Sequence, residues 1–174
     1  MAEGDAARVG DLDGAFFLAA PALVWALQAS GDIAEFQARL PLSWSERLGY
    51  WSHAADWIAD QPLRGWGLDA SRMFAPGIQL HPHDDALQIW LELGLVGAVI
   101  AAVFWGLTLA RLSRPVRDLT ATAAMASLAA YLLFGGVNFG VWQEWWLGLG
   151  ALVAVLVALH RRVGDVAELS TSTP

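Results

Sequence analysis

The sequence predicts an all-α polytopic membrane protein with about four transmembrane helices and one long extracytoplasmic loop that contains an amphipathic helix. Three observations lead there. The chain is unusually apolar: 56% of its 174 residues are hydrophobic and its mean hydropathy is +0.45, above the range of a water-soluble domain. Its apolar residues are gathered into stretches near the roughly 20 residues that a helix needs to cross the hydrocarbon core. Its arginines cluster at the ends of those stretches.

Residues 1–30 form a cytoplasmic N-terminus followed by a marginal first span, Gly14–Ser30, which is short and contains Pro21. Glu3, Asp5, Asp11 and Asp13 precede it, which argues against a cleavable signal peptide, since such peptides begin with a basic region. Residues 31–87 follow as the long loop. Three clearer spans are then expected at 86–110, 119–137 and 141–160, with residues 161–174 as a cytoplasmic tail. Arg111, Arg114 and Arg117 fill one short connection, and Arg161 and Arg162 follow the last span. The excess of basic residues on cytoplasmic loops puts both groups inside and residues 31–87 outside.

Composition also excludes several functions. There is no cysteine, so neither a disulfide framework nor a thiolate metal site can form. A formal charge of −7, with no lysine, argues against nucleic acid and against a basic anchor on anionic lipid. Most of the ten tryptophans are read as anchors at the headgroup level, where an indole keeps its ring apolar and its N–H hydrated.

Within the loop, Ser43-Trp44-Ser45-Glu46 has the spacing of a capping box and predicts a helix start. Trp44, Leu48, Trp51, Ala55 and Ile58 then recur every three or four residues as one apolar stripe, which suits a helix lying flat at a membrane surface with Arg47 along the water boundary. Pro62, Gly65 and Gly67 end that helix, and Pro76 and Gly77 interrupt the stretch beyond it. Arg39, Arg47, Arg64 and Arg72 lie on the side where basic residues are least favoured. Nearby acids can pair with them, but as a group they suit a phosphorylated ligand, because guanidinium binds phosphate oxygens in bidentate fashion.

The string His81-Pro82-His83-Asp84-Asp85 runs straight into the second span. One reading is a cap, with Asp84 or Asp85 accepting free N–H groups at the helix start. A metal site is a second, although two histidines flanking a proline are not a zinc spacing. A third is catalysis, with His83 as a general base at the headgroup level. Glu92 lies about two and a half turns further on. An ionisable group inside a span is costly, so it is expected to reach water, line a polar cavity or pair with an arginine. Gly94 and Gly97 read as small residues for close helix packing.

From Ser45 to Gly97 the sequence resembles the O-antigen ligase and polymerase superfamily. The matching elements are Arg47 followed by Trp51, then Pro62-Leu63 with Gly65 and Gly67, then the histidine run into an apolar helix. The ligases are recognised by a histidine, then Asn, Ser or Gln, nine variable residues, a glycine, two more variable residues and a final Gly, Thr or Tyr. His83, Asp84, Gly94 and Gly97 keep that spacing, with Asp84 an acid where the family has an amide or hydroxyl.

The resemblance implies a GT-C-like, metal-independent glycosyltransferase without a cofactor, in the bacterial inner membrane with its long loop facing the periplasm. It would move a glycan from undecaprenyl pyrophosphate to a lipid acceptor of the lipid A-core type. By this resemblance His83 is similar to the family's catalytic histidine, which would take the acceptor's proton, and Arg47 to the arginine holding the donor pyrophosphate. Arg72 joins them on physical grounds alone, and His81, Asp84 and Glu92 are supporting residues. Family members carry many more spans ahead of this region, so a further membrane chain supplying those helices is an expected partner. A polymerase of the same superfamily, or a non-catalytic membrane subunit or truncated fragment, are the alternatives.

Overall fold

A computed structural model describes residues 3–73, 77–112 and 119–171, and among these the side chains of residues 14–73, 77–112, 119–160 and 162. Pro76, Arg114 and Arg117 fall outside the described residues. Among the described residues there are six α-helices and no strand: α1 (Glu3–Ser30), α2 (Asp32–Arg39), α3 (Leu42–Asp60), α4 (Asp85–Leu112), α5 (Leu119–Val137) and α6 (Glu144–Thr171), with a 3-10 turn at Ala70–Met73. By length and apolarity α4 and α5 are each able to cross a membrane. A third crossing exists if α1 and α2, bent by 84° where they meet, count as one broken span. Gly31 makes that corner in the left-handed conformation (φ 82°), which glycine adopts without a Cβ penalty.

The last helix begins three residues later than the expected span 141–160. It starts at Glu144 and runs to Thr171, with Glu144–His160 apolar. Residues 138–143 instead form a turn against α4, where Val141 N donates to Gln88 Oε1 at 3.0 Å.

α1 lies along α4, and Phe17, Ala20 and Val24 share one buried cluster with Leu87, Leu91, Ala98 and Ala102. Pro21 has no N–H, so the carbonyl four residues before it, on Phe17, lacks its helical donor. Trp90 Nε1 of α4 donates to that carbonyl at 2.6 Å. Other indoles act alike. Trp25 bonds the Ala55 carbonyl at 3.1 Å, Trp51 the Pro82 carbonyl at 2.9 Å, and Trp66 the Trp57 carbonyl at 2.9 Å. Trp57 sits within the last four residues of α3, whose carbonyls have no intrahelical partner. These four tryptophans tie elements of the protein together, while Trp25 and Trp66 also stay exposed.

α3 also departs from expectation at its start. It begins at Leu42 behind Pro41, with no side-chain cap, and Trp44 N and Ser45 N donate to the Pro41 carbonyl. Proline holds the preceding Leu40 extended (ψ 155°), so the helix starts before the Ser43–Glu46 box can cap it. Leu48, Ala55 and Ile58 from the apolar stripe are buried and belong to the α1–α4 cluster. The stripe therefore packs on protein rather than on a bilayer surface, while Trp44 at its end stays exposed.

α4 is broken. Gly94 has φ 63° and ψ −160° inside it, a conformation open in practice only to glycine. The break frees backbone groups on both sides, and the 62–67 loop takes them up. Trp66 N and Gly67 N donate to the carbonyls of Leu91 and Glu92, both at 2.9 Å, while Leu95 N and Val96 N donate to those of Pro62 (2.8 Å) and Leu63 (3.3 Å). The approach is so close that a Cβ on Gly94 would lie 2.5 Å from Arg64 N, and one on Gly65 would lie 2.5 Å from the Glu92 carbonyl carbon. Gly94 is thus a docking point for the loop, where small-residue helix packing had been expected.

Gly94→Ala and Gly65→Ala are expected to destabilise the protein by about 3 kcal/mol each, through strained φ and backbone overlap. Gly148→Ala, where a Cβ meets nothing within 4 Å, serves as the control. Thermal unfolding of the purified protein in detergent, followed by size-exclusion chromatography, checks the difference.

Candidate active site

The half-helix 85–93 carries the histidine run at its N-terminus. Asp84, one of the two acids proposed as caps, caps it by accepting Leu87 N on Oδ1 at 2.9 Å. Trp51 of α3 holds the Pro82 carbonyl, and Pro82 itself is buried. His83 is left in the left-handed region at φ 58°, a costly backbone for a residue with a side chain. Its N–H donates to His81 Nδ1 at 3.2 Å, and the two rings lie 4.2 Å apart. This local turn directs the His83 ring toward the connection between α5 and α6.

There His83 Nδ1 lies 2.7 Å from the Asn138 carbonyl oxygen. A carbonyl can only accept, so Nδ1 carries the proton, and in the neutral ring the lone pair sits on Nε2. The same residue takes Arg47: Asn138 Oδ1 accepts from Arg47 Nη2 at 2.7 Å. The guanidinium also lies over the Trp44 ring at 4.9 Å, in cation–π contact. Residues 36 positions apart in sequence are therefore brought together on Asn138, which sequence reasoning missed. The available signal was a lone polar residue at the end of the apolar stretch 119–137.

His81 is buried, with Nε2 3.2 Å from the Gln143 amide. A Cβ on Gly140 would come within 2.8 Å of its ring, so the absence of a side chain there lets the connection lie against the imidazole. Burial, then the charges of His83, Arg72 and Arg47, lower the His81 pKa to about 4, which keeps it neutral at ordinary pH. Burial pushes the Asp84 carboxyl up to about 7, against the opposing pull of its backbone hydrogen bonds to Leu87 and Ala86. Arg72 itself is exposed and pairs with Asp69 at 2.8 Å. Arg39 pairs with Glu35 in the same way, and exposed pairs of this kind contribute little to stability.

Glu92 is fully buried, so it does not reach water, and its partners are neutral donors rather than an arginine. Oε1 accepts from Ser71 Oγ (2.8 Å) and Gln88 Nε2 (3.1 Å), while Oε2 accepts from Asp69 N (2.9 Å) and Trp142 Nε1. Saturation with donors is what makes a buried carboxylate tolerable. The three segments it joins carry Arg72, the His81–Asp84 run and Asn138, so Glu92 fixes the frame in which those residues face each other.

A broken membrane helix, a loop docked into its break and a histidine aimed from its N-terminus define a helical membrane protein with a polar site at one end of its bundle. The family model described as O-antigen ligase matches residues 14–102, and the chain belongs to that family of bacterial membrane proteins. Among curated proteins it is 28% identical over 142 residues to a Rickettsia conorii protein named "Putative polysaccharide ligase", covering 74% of this chain and 34% of that one. Similarly named proteins of Rickettsia felis (26% identical over 142 residues; 74% and 35% covered) and Rickettsia bellii (29% over 130; 66% and 32%) also match. The chain spans about a third of the length of these relatives. No solved structure matches it.

Two outcomes follow from the buried carboxylates. Glu92→Leu strands several buried donors and is expected to cost at least about 3 kcal/mol by thermal unfolding. The raised Asp84 pKa means that the folded state holds a proton the unfolded chain has already lost, so Asp84 destabilises progressively from about pH 4 to pH 7. His81 has the opposite slope: its depressed pKa costs stability as pH falls from about 6.5 to 4. Asp84→Asn is therefore expected to gain on wild type as pH rises to 7, on the order of a few kcal/mol in total, measured by unfolding at pH 5 and pH 8.

Proposed function

We propose that this chain carries the catalytic end of a GT-C-like, metal-independent O-antigen ligase in the bacterial inner membrane. It moves a glycan from undecaprenyl pyrophosphate to a lipid acceptor on the periplasmic side. The observation that carries the reading is His83. Its Nδ1–H is held by the Asn138 carbonyl, and its Nε2 has no partner among the described residues. A ring held this way is suited to act as a general base. In the transfer, Nε2 takes the proton of an acceptor sugar hydroxyl and the freed oxygen bonds to the anomeric carbon of the donor. The bond from that carbon to the pyrophosphate breaks, and undecaprenyl pyrophosphate leaves with the electron pair.

The leaving pyrophosphate gains negative charge, and Arg47, assisted by Arg72, stabilises it without a metal. Both arginines act on the electrostatics of His81, which supports a shared cationic site. His81 is kept neutral and supports the His83 backbone through Nδ1, while Asp84 and Glu92 hold the half-helix and its neighbours in register. A mostly apolar cavity of about 620 Å³ between α1, α4 and α5 reaches Trp51, Asp84 and Asp85. Its lining of Phe17, Leu23, Val24 and Leu133 fits a prenyl chain whose head lies at the site.

Deleting the gene in the native host and analysing undecaprenyl-linked glycans by mass spectrometry tests the reading. Long lipid-linked chains should accumulate, relieved by wild type but not by His83→Ala, whose transfer rate falls by roughly 10²–10⁴-fold. Accumulation of single repeat units would instead identify a polymerase. An unchanged lipid-linked pool would mean a non-catalytic subunit.

A further inference from the structure

Asn138 follows the last residue of α5 and lies beyond the part of the chain that the family model matches. Its N–H donates to the Phe134 carbonyl at 3.0 Å, so the end of the helix fixes its backbone. From that fixed point two different atoms reach the site. The main-chain oxygen holds His83 Nδ1, and the side-chain oxygen holds Arg47 Nη2, each at 2.7 Å.

Arg47 differs from two other arginines of the same loop. Arg39 and Arg72 are paired with carboxylates, whereas among the described residues Arg47 has no ion-pair partner and is held by a neutral amide. An amide oxygen orients a guanidinium without cancelling its charge. It occupies one N–H of the five that arginine offers, and Trp44 covers one face. The remaining N–H groups and the full positive charge stay available for an anion with paired oxygens.

We propose that Asn138 is a positioning residue with two separable tasks: its side chain presents Arg47 to the phosphate oxygens of the lipid-linked donor, and its main chain sets the His83 tautomer. The inference rests on the donor-site reading above and adds to it the residue that sets the arginine. Removing the amide loosens Arg47 and leaves the histidine as it was. Replacing it with a carboxylate keeps an acceptor but neutralises the charge that the donor needs.

The test uses inorganic pyrophosphate as probe, titrated calorimetrically into the full chain in lipid nanodiscs, with ¹⁵N imidazole NMR reporting the His83 tautomer. Asn138→Ala is expected to bind pyrophosphate roughly 10- to 100-fold more weakly, the effect of one lost hydrogen bond to a charged group. Asn138→Asp should bind more weakly still, and Nδ1 of His83 stays protonated in both. In transfer assays the loss from Asn138→Ala appears in the donor KM rather than in kcat. If Arg47→Ala weakens pyrophosphate binding while both Asn138 variants bind as wild type does, the positioning role is overturned and the donor site stands. If Arg47→Ala binds as wild type does, or wild type binds no pyrophosphate, the donor-site reading fails and the inference with it. A switch of the proton to Nε2 in Asn138→Ala also overturns it, because the side chain would then be acting through the fold.

Discussion

The break in α4 at Gly94 is the constraint on which the rest of the site depends. A helix in hydrocarbon has to satisfy every backbone group internally, and irregular backbone survives there only where protein covers it. Here the cover is the 62–67 loop, which supplies donors to Leu91 and Glu92 and acceptors to Leu95 and Val96. That docking brings Asp69 and Ser71 onto the Glu92 carboxylate, and through them the segment bearing Arg72. It also leaves 85–93 as a short half-helix whose other end carries His83. The glycine is thus the structural reason why a loop far from α4 in sequence belongs to the same site.

This gives the spacing of the family motif a physical content. Nine residues between Asp84 and Gly94 amount to two and a half turns of helix, with a cap at one end and a docked break at the other. The histidine and the glycine mark the two ends of one rigid rod. A shorter or longer rod would turn the His83 backbone away from Asn138, or carry the break away from the loop.

Much of the site was legible in the sequence because its signals are local. The histidine run, the Asp84 cap and the arginine at 47 on a helix could all be read from neighbouring residues, and they meet in the structure. Partners distant along the chain could not be read. Asn138 sits 55 residues from His83 and 91 from Arg47, and a single asparagine after an apolar stretch carries no periodicity. The indole bonds between elements could not be read for a related reason. An indole that bonds a carbonyl inside the protein and one that meets a lipid headgroup have the same composition, and only the fold distinguishes them. The Ser43–Glu46 box failed because Pro41 started the helix first, and Gly94 looked like a packing residue because a break and a close contact both call for glycine.

The bond from Trp90 to the Phe17 carbonyl has a consequence for motion. Sliding α1 along α4 by one turn, about 5.4 Å, would uncouple the indole and strand a bare carbonyl in an apolar setting, since Pro21 offers nothing in return. The two helices therefore form a keyed pair with a single permitted register. The helix α3, which carries Arg47, is tied to the same pair by Leu48, Ala55 and Ile58 in the shared cluster and by the Trp25 bond to the Ala55 carbonyl, so the register of α1 on α4 also sets where Arg47 stands.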